Sequence, residues 1–442
     1  WNYFIIAGRQ MGSVVTPAVI IFLLNSYCSA VEYRLPETVV PTFYDLSLKI
    51  NPEDADYIGT MIITLHTSNQ TKYVYIHSDA NYINITAIIL NDNAKCYANN
   101  LDVDDMVRIS CSRALIVDED NTLDIEFTSK FSVEDGYGLF KSSYVDEGKE
   151  QVIIESNFKP TYARRAFPCL DEPDFKASFA VEITHPKAYN VISNSPAILT
   201  NKISDDDLTT TKFEDTPEIS PYLLDILISQ LQEAETLEED SVDFKIFTRS
   251  KVTSLTKTVA NTYYHKIIEK LDSYTGVPYQ NLNETESYLV ALPDYSETMG
   301  DFGLFAYRET DLLDEGDKTT ARAKQDIIAT MAYKLSHEWY GGVVATKWWS
   351  DVWANEAVAT YLKYLIPDKV DEELELTNQF LLEVSQKTLQ HDAYSFAQPL
   401  SSKESDINNE WAIENKLSTA NYQKGATILR MIRSVLKGED NL

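Results

Sequence analysis

The sequence predicts an α+β fold, with an antiparallel β-rich N-terminal half and a mainly helical C-terminal half. Three observations predict it. Short apolar–polar alternations fill residues 40–235, separated by polar or Gly/Pro/Asp turns. An acidic run, residues 233–243, then breaks the pattern. Beyond it the apolar residues recur every three or four positions.

Trp1 opens the chain and the first methionine is Met11. Residues 11–30 carry an apolar stretch, 14–24, followed by small residues ending at Ala30, which is the pattern of a secretory signal peptide. A buried strand or helix is the other reading. The stretch is too short to cross about 30 Å of hydrocarbon, so no membrane span is expected in this chain. Residues 1–30 are therefore read as a leader, 31–240 as a β domain and 241–442 as a helical domain. A leader implies a secreted, extracellular protein. In that compartment Cys96 and Cys111, flanking the polar turn NNLDVDD, can pair across a hairpin. Such a bridge would add on the order of 3 kcal/mol; two buried thiols are the alternative. The sequons at Asn69, Asn84 and Asn283 are candidate glycosylation sites.

VPTFYDLSLKI, YIGTMIITLHT, KYVYIH, NITAIIL, NTLDIEF, EQVIIES and ASFAVEIT read as successive strands of a sandwich or saddle. The acidic run after them reads as a solvated loop at a domain boundary. Then come four helices. Val259, Tyr263, Ile267 and Leu271 share one face of the first. The second is capped by Thr319 or Thr320, ends at Gly341-Gly342, and carries the stripe Ile328, Met331, Leu335 and Trp339. The third has Ser350 as its cap and Pro367 as its stop, and the fourth covers residues 371–392. Lys and Arg total 38 against 68 Asp and Glu, a net charge of −30, which excludes a nucleic-acid partner. With 44% apolar residues the chain is far too hydrophobic to be a disordered acidic segment.

Four segments occur in order: NFKPTYARRAFPCLDEPDFKASF at 157–179, LPDYSETMGDFGLFAYRET at 292–310, YKLSHEWYGGVVATKWWSDVWANEAVATYL at 333–362, and NYQKGATILRMI at 421–432. Together they resemble the aminopeptidase N family of zinc metallopeptidases, the gluzincins. The resemblance implies a thermolysin-like catalytic-type domain after the β domain. It also implies a zinc held by the two histidines of H-E-x-x-H and a glutamate on the next helix, with the Glu of that motif as general base. A glutamate of G-A-M-E-N would anchor the substrate's free amine, and a late Tyr would stabilise the oxyanion.

This chain departs from the pattern residue by residue. His337 precedes Glu338-Trp339-Tyr340-Gly341, where the family has Q-W-F-G after its second histidine, and Glu356 follows 19 positions later at the family spacing. His337 and Glu356 thus match two zinc ligands. The first histidine is replaced by Tyr333 and the general base by Lys334, so the motif reads Tyr-Lys-Leu-Ser-His. Aligned backward from Gly303-Leu304, the amine-anchoring Glu falls on Gly300, next to Asp301. In the early motif, T-Q-x-E has become Ser156-Asn157-Phe158-Lys159, which keeps Asn157 on the substrate side and puts a cation where the family has an amine acceptor. Tyr422, before Gln423-Lys424-Gly425-Ala426, matches the oxyanion tyrosine.

Two remaining ligands and no base imply weak or absent zinc and a catalytically inactive relative that binds peptide or protein. The other reading is an active zinc metalloaminopeptidase with an altered site. Two placements are open to Lys334: it pairs with Glu356 in the emptied metal site, or it reaches the water of the cleft. Trp339, Trp348, Trp349 and Trp353 read as core aromatics, Cys169 as a buried thiol, and Asp171 and Glu172 as structural partners of Arg164 or Arg165. Against the family the chain is expected to be C-terminally truncated.

Overall fold

The computed structural model describes residues 33–442 except 102, 104, 134, 203–206, 238–241, 256–258, 283–285, 294–301 and 437–442. The leader, Asn283, Gly300 and Asp301 lie outside the described residues. Leu35–Leu442 form one compact unit.

The β-rich half runs β1 (Val39–Lys49), β2 (Asp56–Thr67), β3 (Tyr73–His77), β4 (Ile83–Leu90), β5 (Ala94–Asn100), β6 (Met106–Cys111), β7 (Asp120–Lys130), β8 (Gly138–Asp146) and β9 (Lys149–Asn157). It continues with β10 (Ser178–Pro186), β11 (Asn190–Ser193), β12 (Ala197–Lys202), β13 (Leu208–Phe213) and β14 (Ile226–Ser229). Among the described residues, ten of these strands make one sheet in the order β12-β13-β10-β1-β2-β7-β4-β5-β6-β3, and β11-β14-β9-β8 make a second. The alternation seen in the sequence is the alternation of burial. Tyr57, Met61, Ile63 and Leu65 of β2 and Leu123, Ile125 and Phe127 of β7 point inward. In β1 a register shift between Pro41 and Phe43 resets the phase, so that Tyr44, Leu46 and Leu48 face the core. One pairing departs from the antiparallel expectation: β1 and β10 run parallel, Phe43 opposite Ser178, across a long intervening excursion. Cys96 and Cys111 face each other in the β5–β6 ladder and form a disulfide. Asn69 and Asn84 are exposed, and Cys169 is a buried free thiol.

The described residues at both ends of the acidic run are strand rather than loop, and residues 238–241 lie outside the described residues. Gln232–Leu237 form β15, which pairs with β16 (Asp243–Thr248), and β17 (Glu286–Leu292) and β18 (Leu304–Arg308) follow in parallel. β15 is the edge of this sheet, where charged side chains keep access to water. Then come α1 (Val259–Thr275), α2 (Glu309–Leu312), α3 (Ala321–His337), α4 (Val352–Val370), α5 (Leu376–Phe380), α6 (Gln386–Asp392), α7 (Glu410–Glu414) and α8 (Thr419–Leu436), in chain order around these strands. Thr320 caps α3, its hydroxyl accepting from Ala323 N at 3.2 Å. Ser350 does not cap α4, which starts from Asp351, and Pro367 does not stop it. A proline near a helix C-terminus costs the ladder one donor, and α4 runs on to Val370 with Asp371 N bonded to the Pro367 carbonyl at 2.8 Å.

Among the described residues three apolar clusters hold these parts. One takes side chains from both sheets of the β-rich half, including Leu46, Ile63, Ile125, Ile154 and Ile228. A second lies among the helices, with Ile328, Met331, Leu335, Leu362 and Ala426. A third joins the halves: Ile153, Leu227 and Leu231 pack on Val290, Leu292 and Leu304. β9 belongs to two of them, Ile154 inward and Ile153 outward, so the chain just beyond β9 leaves from a fixed point between the halves.

β9 also buries a carboxylate. Glu155 is 1% exposed; its Oε1 accepts from Ser142 Oγ at 2.6 Å, and its Oε2 has no hydrogen-bond partner among the described residues. Burial pushes its pKa up from 4.5 to about 7, the Ser142 hydroxyl pulling the other way. With the folded value above the unfolded one, stability from this group is complete below the unfolded value of 4.5 and is lost as pH rises through 7. Glu155→Gln should therefore stabilise the fold by about 2 kcal/mol at pH 8 and change it little at pH 5. Urea unfolding at the two pH values checks this, and an equal effect at both would contradict it.

Candidate functional site

The site is built from two crossing helices and one loop. On α3, positions four apart share a face, and the Tyr333 and His337 rings meet edge to face with centroids 4.8 Å apart. Gly341, at φ 148°, lets the chain turn away behind His337; a Cβ there would come within 3.3 Å of His337 Nδ1. α4 presents Glu356, which is 2% exposed. α8 lies directly against α4 because Gly425 has no side chain: a Cβ would meet that of Ala357 at 2.5 Å. This close approach sets Tyr422, one turn earlier on α8, near enough to Tyr333 to help raise its pKa.

Three groups surround the Glu356 carboxylate among the described residues. Lys159 Nζ lies 2.6 Å from Oε1. The Tyr333 hydroxyl donates to Oε2 at 2.7 Å, and His337 Nε2 lies 3.3 Å from the same oxygen. Burial would raise the pKa of Glu356, but the Lys159 ammonium and the His337 imidazole overcome it and hold the carboxyl well below the usual range. Tyr333 is pushed far up by burial and by the Glu356 charge, so it stays a neutral donor.

Neither placement open to Lys334 holds. Its side chain does not reach Glu356, whose contacts are those just given, and it does not reach water, being 1% exposed. It points into the helical core with Nζ 5.3 Å from the Tyr307 ring centre. One turn further on, just past the end of α3, Glu338 is equally buried and accepts from Gly303 N at 2.8 Å and from the Tyr279 hydroxyl at 3.0 Å. The cation at Glu356 is instead Lys159, a residue read in the sequence only as a group that repels the substrate amine. The signal was present: a lysine in an acceptor position, beside a motif that had lost a metal ligand.

Asn157 ends β9 with its side-chain amide donating to the Gly136 carbonyl at 3.1 Å, two residues before Lys159. The rest of the early motif is structural. Arg164 Nε bonds Asp171 at 3.0 Å, Glu172 accepts from Leu35 N at 2.6 Å, and the Tyr162 hydroxyl donates to Glu414. Beside it lies a polar cavity of about 250 Å³ lined by Asp79, Asp105, Thr161, Arg165 and Glu410. Two of its acids, Asp79 and Glu410, are engaged by Arg165 at 3.5 and 3.6 Å.

A zinc centre of the kind the motif implies needs three protein donors around an open position. Here the three motif positions offer one imidazole, one phenol and one carboxylate, and the carboxylate is already committed on both oxygens. Among the described residues no group of three or more His, Cys, Asp or Glu is arranged to hold a metal. The residues present do not fit the group.

Lys334→Ala should destabilise the protein by about 3 kcal/mol in urea unfolding, since it empties a buried position of the helical core and removes the ammonium over Tyr307. A change within about 0.5 kcal/mol would contradict the burial seen here.

The comparisons agree with the order of these parts. Residues 40–223 match the Peptidase M1 N-terminal domain and residues 260–442 the Peptidase family M1 domain. Aminopeptidase N of Rattus norvegicus is 28% identical over 425 residues. Endoplasmic reticulum aminopeptidase 1 of Homo sapiens is 28% identical over 415 residues, and glutamyl aminopeptidase of Bos taurus 25% over 420. In each case the alignment covers 92% of this chain and 43% of the relative, so the chain spans less than half the length of these curated relatives. With both domains matched in sequence order, the chain belongs to peptidase family M1, with the aminopeptidase N relatives.

Proposed function

We propose that this chain is a secreted aminopeptidase N-like protein that has lost the family's peptidase chemistry and acts by binding peptide or protein. The observation that carries the reading is the general-base position. It holds Lys334, buried against Tyr307, so no carboxylate stands there to take a proton from water. The metal donors support it, with Tyr333 in place of a histidine and Glu356 bonded to an ammonium. In this reading the zinc of the family is absent. The cleft floor keeps His337, Glu356 and Tyr422, while Lys159 stands where the family accepts a free amine. Peptides without a charged N-terminus are therefore the favoured ligands, and Asn157, Gly300 and Asp301 are the residues on the substrate side.

The retained His337, Glu356 and Tyr422 favour the second reading, a metalloaminopeptidase releasing N-terminal residues. Purified protein separates the two by zinc content and by nitroaniline release from alanine, leucine and glutamate nitroanilides. We expect substoichiometric zinc, no chelator-sensitive turnover, and tighter binding of N-acetylated than of free peptides by fluorescence anisotropy. Stoichiometric zinc with chelator-sensitive turnover would replace the first reading by the second.

A further inference from the structure

We propose that Lys159 is the resident cation of this site, its ammonium neutralising Glu356 in the role a divalent metal would otherwise fill. The proposal rests on the metal-free reading above and names what replaces the metal.

A carboxylate as buried as Glu356 cannot stay ionised without a countercharge. Lys159 provides it at 2.6 Å across 197 residues of sequence. The lysine is aimed by its surroundings rather than by a flexible surface chain. It follows Phe158, which is 2% exposed within the core of the β-rich half, and it precedes Tyr162, which is tied to Glu414 of α7. Its own side chain is 27% exposed, so the ammonium reaches in from the cleft side while the carboxylate is closed off behind it. Tyr333 and His337 take the other oxygen. The arrangement gives one positive charge and two further contacts to a buried carboxylate. It also fixes the loop beyond β9 to α4, so the β-rich and helical halves share this bond.

The expectation is specific to charge. Removing the ammonium alone leaves a buried anion, whereas removing both charges leaves a neutral amide in a polar setting. The test is thermal unfolding of the full chain as wild type, Lys159→Met, Glu356→Gln, the double variant and Lys159→Ala, each with and without chelator. The wild type should be indifferent to chelator. Lys159→Met should lose several degrees, and the double variant should regain most of that loss. Lys159→Ala should be raised by propylammonium chloride but not by sodium chloride at the same ionic strength. If Lys159→Met does not fold, recovery of folding in the double variant supports the pairing, and failure of the double variant as well overturns it. An unchanged melting temperature in Lys159→Met, with the wild type still zinc-free, overturns the proposal and leaves the inactive reading standing. Chelator-sensitive unfolding of a stoichiometrically zinc-loaded wild type overturns both.

Discussion

A buried, ionised carboxylate is the constraint on which this site depends. Glu356 sits inside the packing of α3, α4 and α8 with almost no contact with water. An isolated charge there would be strongly unfavourable, and its partners must come to it. One is four residues from the motif histidine on α3, one is that histidine, and the third arrives from the end of β9. The position of each depends on packing laid down elsewhere: the clamped β9, the close approach of α8 at Gly425, and the turn at Gly341 behind His337.

Two lysines have entered the site region, and the structure treats them differently. Lys334 has turned into the core, over Tyr307 and one turn from Glu338. Where the family motif has Glu and Gln at these two positions, this chain has Lys and Glu. Lys159 remains at the cleft and faces Glu356. Neither can accept a proton while charged, which is why the same two changes bear on both metal and base chemistry. In the proposed reading Tyr422 does not offset this, because stabilising an oxyanion has no effect until a nucleophile has been generated.

Much of this was legible in the sequence, and the rest was not for identifiable reasons. The alternation of β2 and β7, the pairing of Cys96 with Cys111, and the Thr320 cap are local patterns, and local patterns can be read along one chain. The motif register came from the resemblance of the residues after His337, and of the 19-position spacing to Glu356, to the family pattern. The Lys159–Glu356 bond was not legible, since nothing local relates residues that far apart. β15 was hidden by its charges, which an edge strand tolerates, and β17 and β18 by their continuous apolar runs, which read equally well as buried helix. Pro367 misled because the helix runs on past it to Val370, with Asp371 N bonded to the Pro367 carbonyl.

The most direct measurement is diffraction at the zinc absorption edge from crystals of this chain soaked in zinc. The account predicts no anomalous peak within bonding distance of His337 and Glu356, and density for the Lys159 side chain ending at the Glu356 carboxylate. A peak bonded to His337 Nε2 and Glu356, with Lys159 turned out into the cleft, would contradict it.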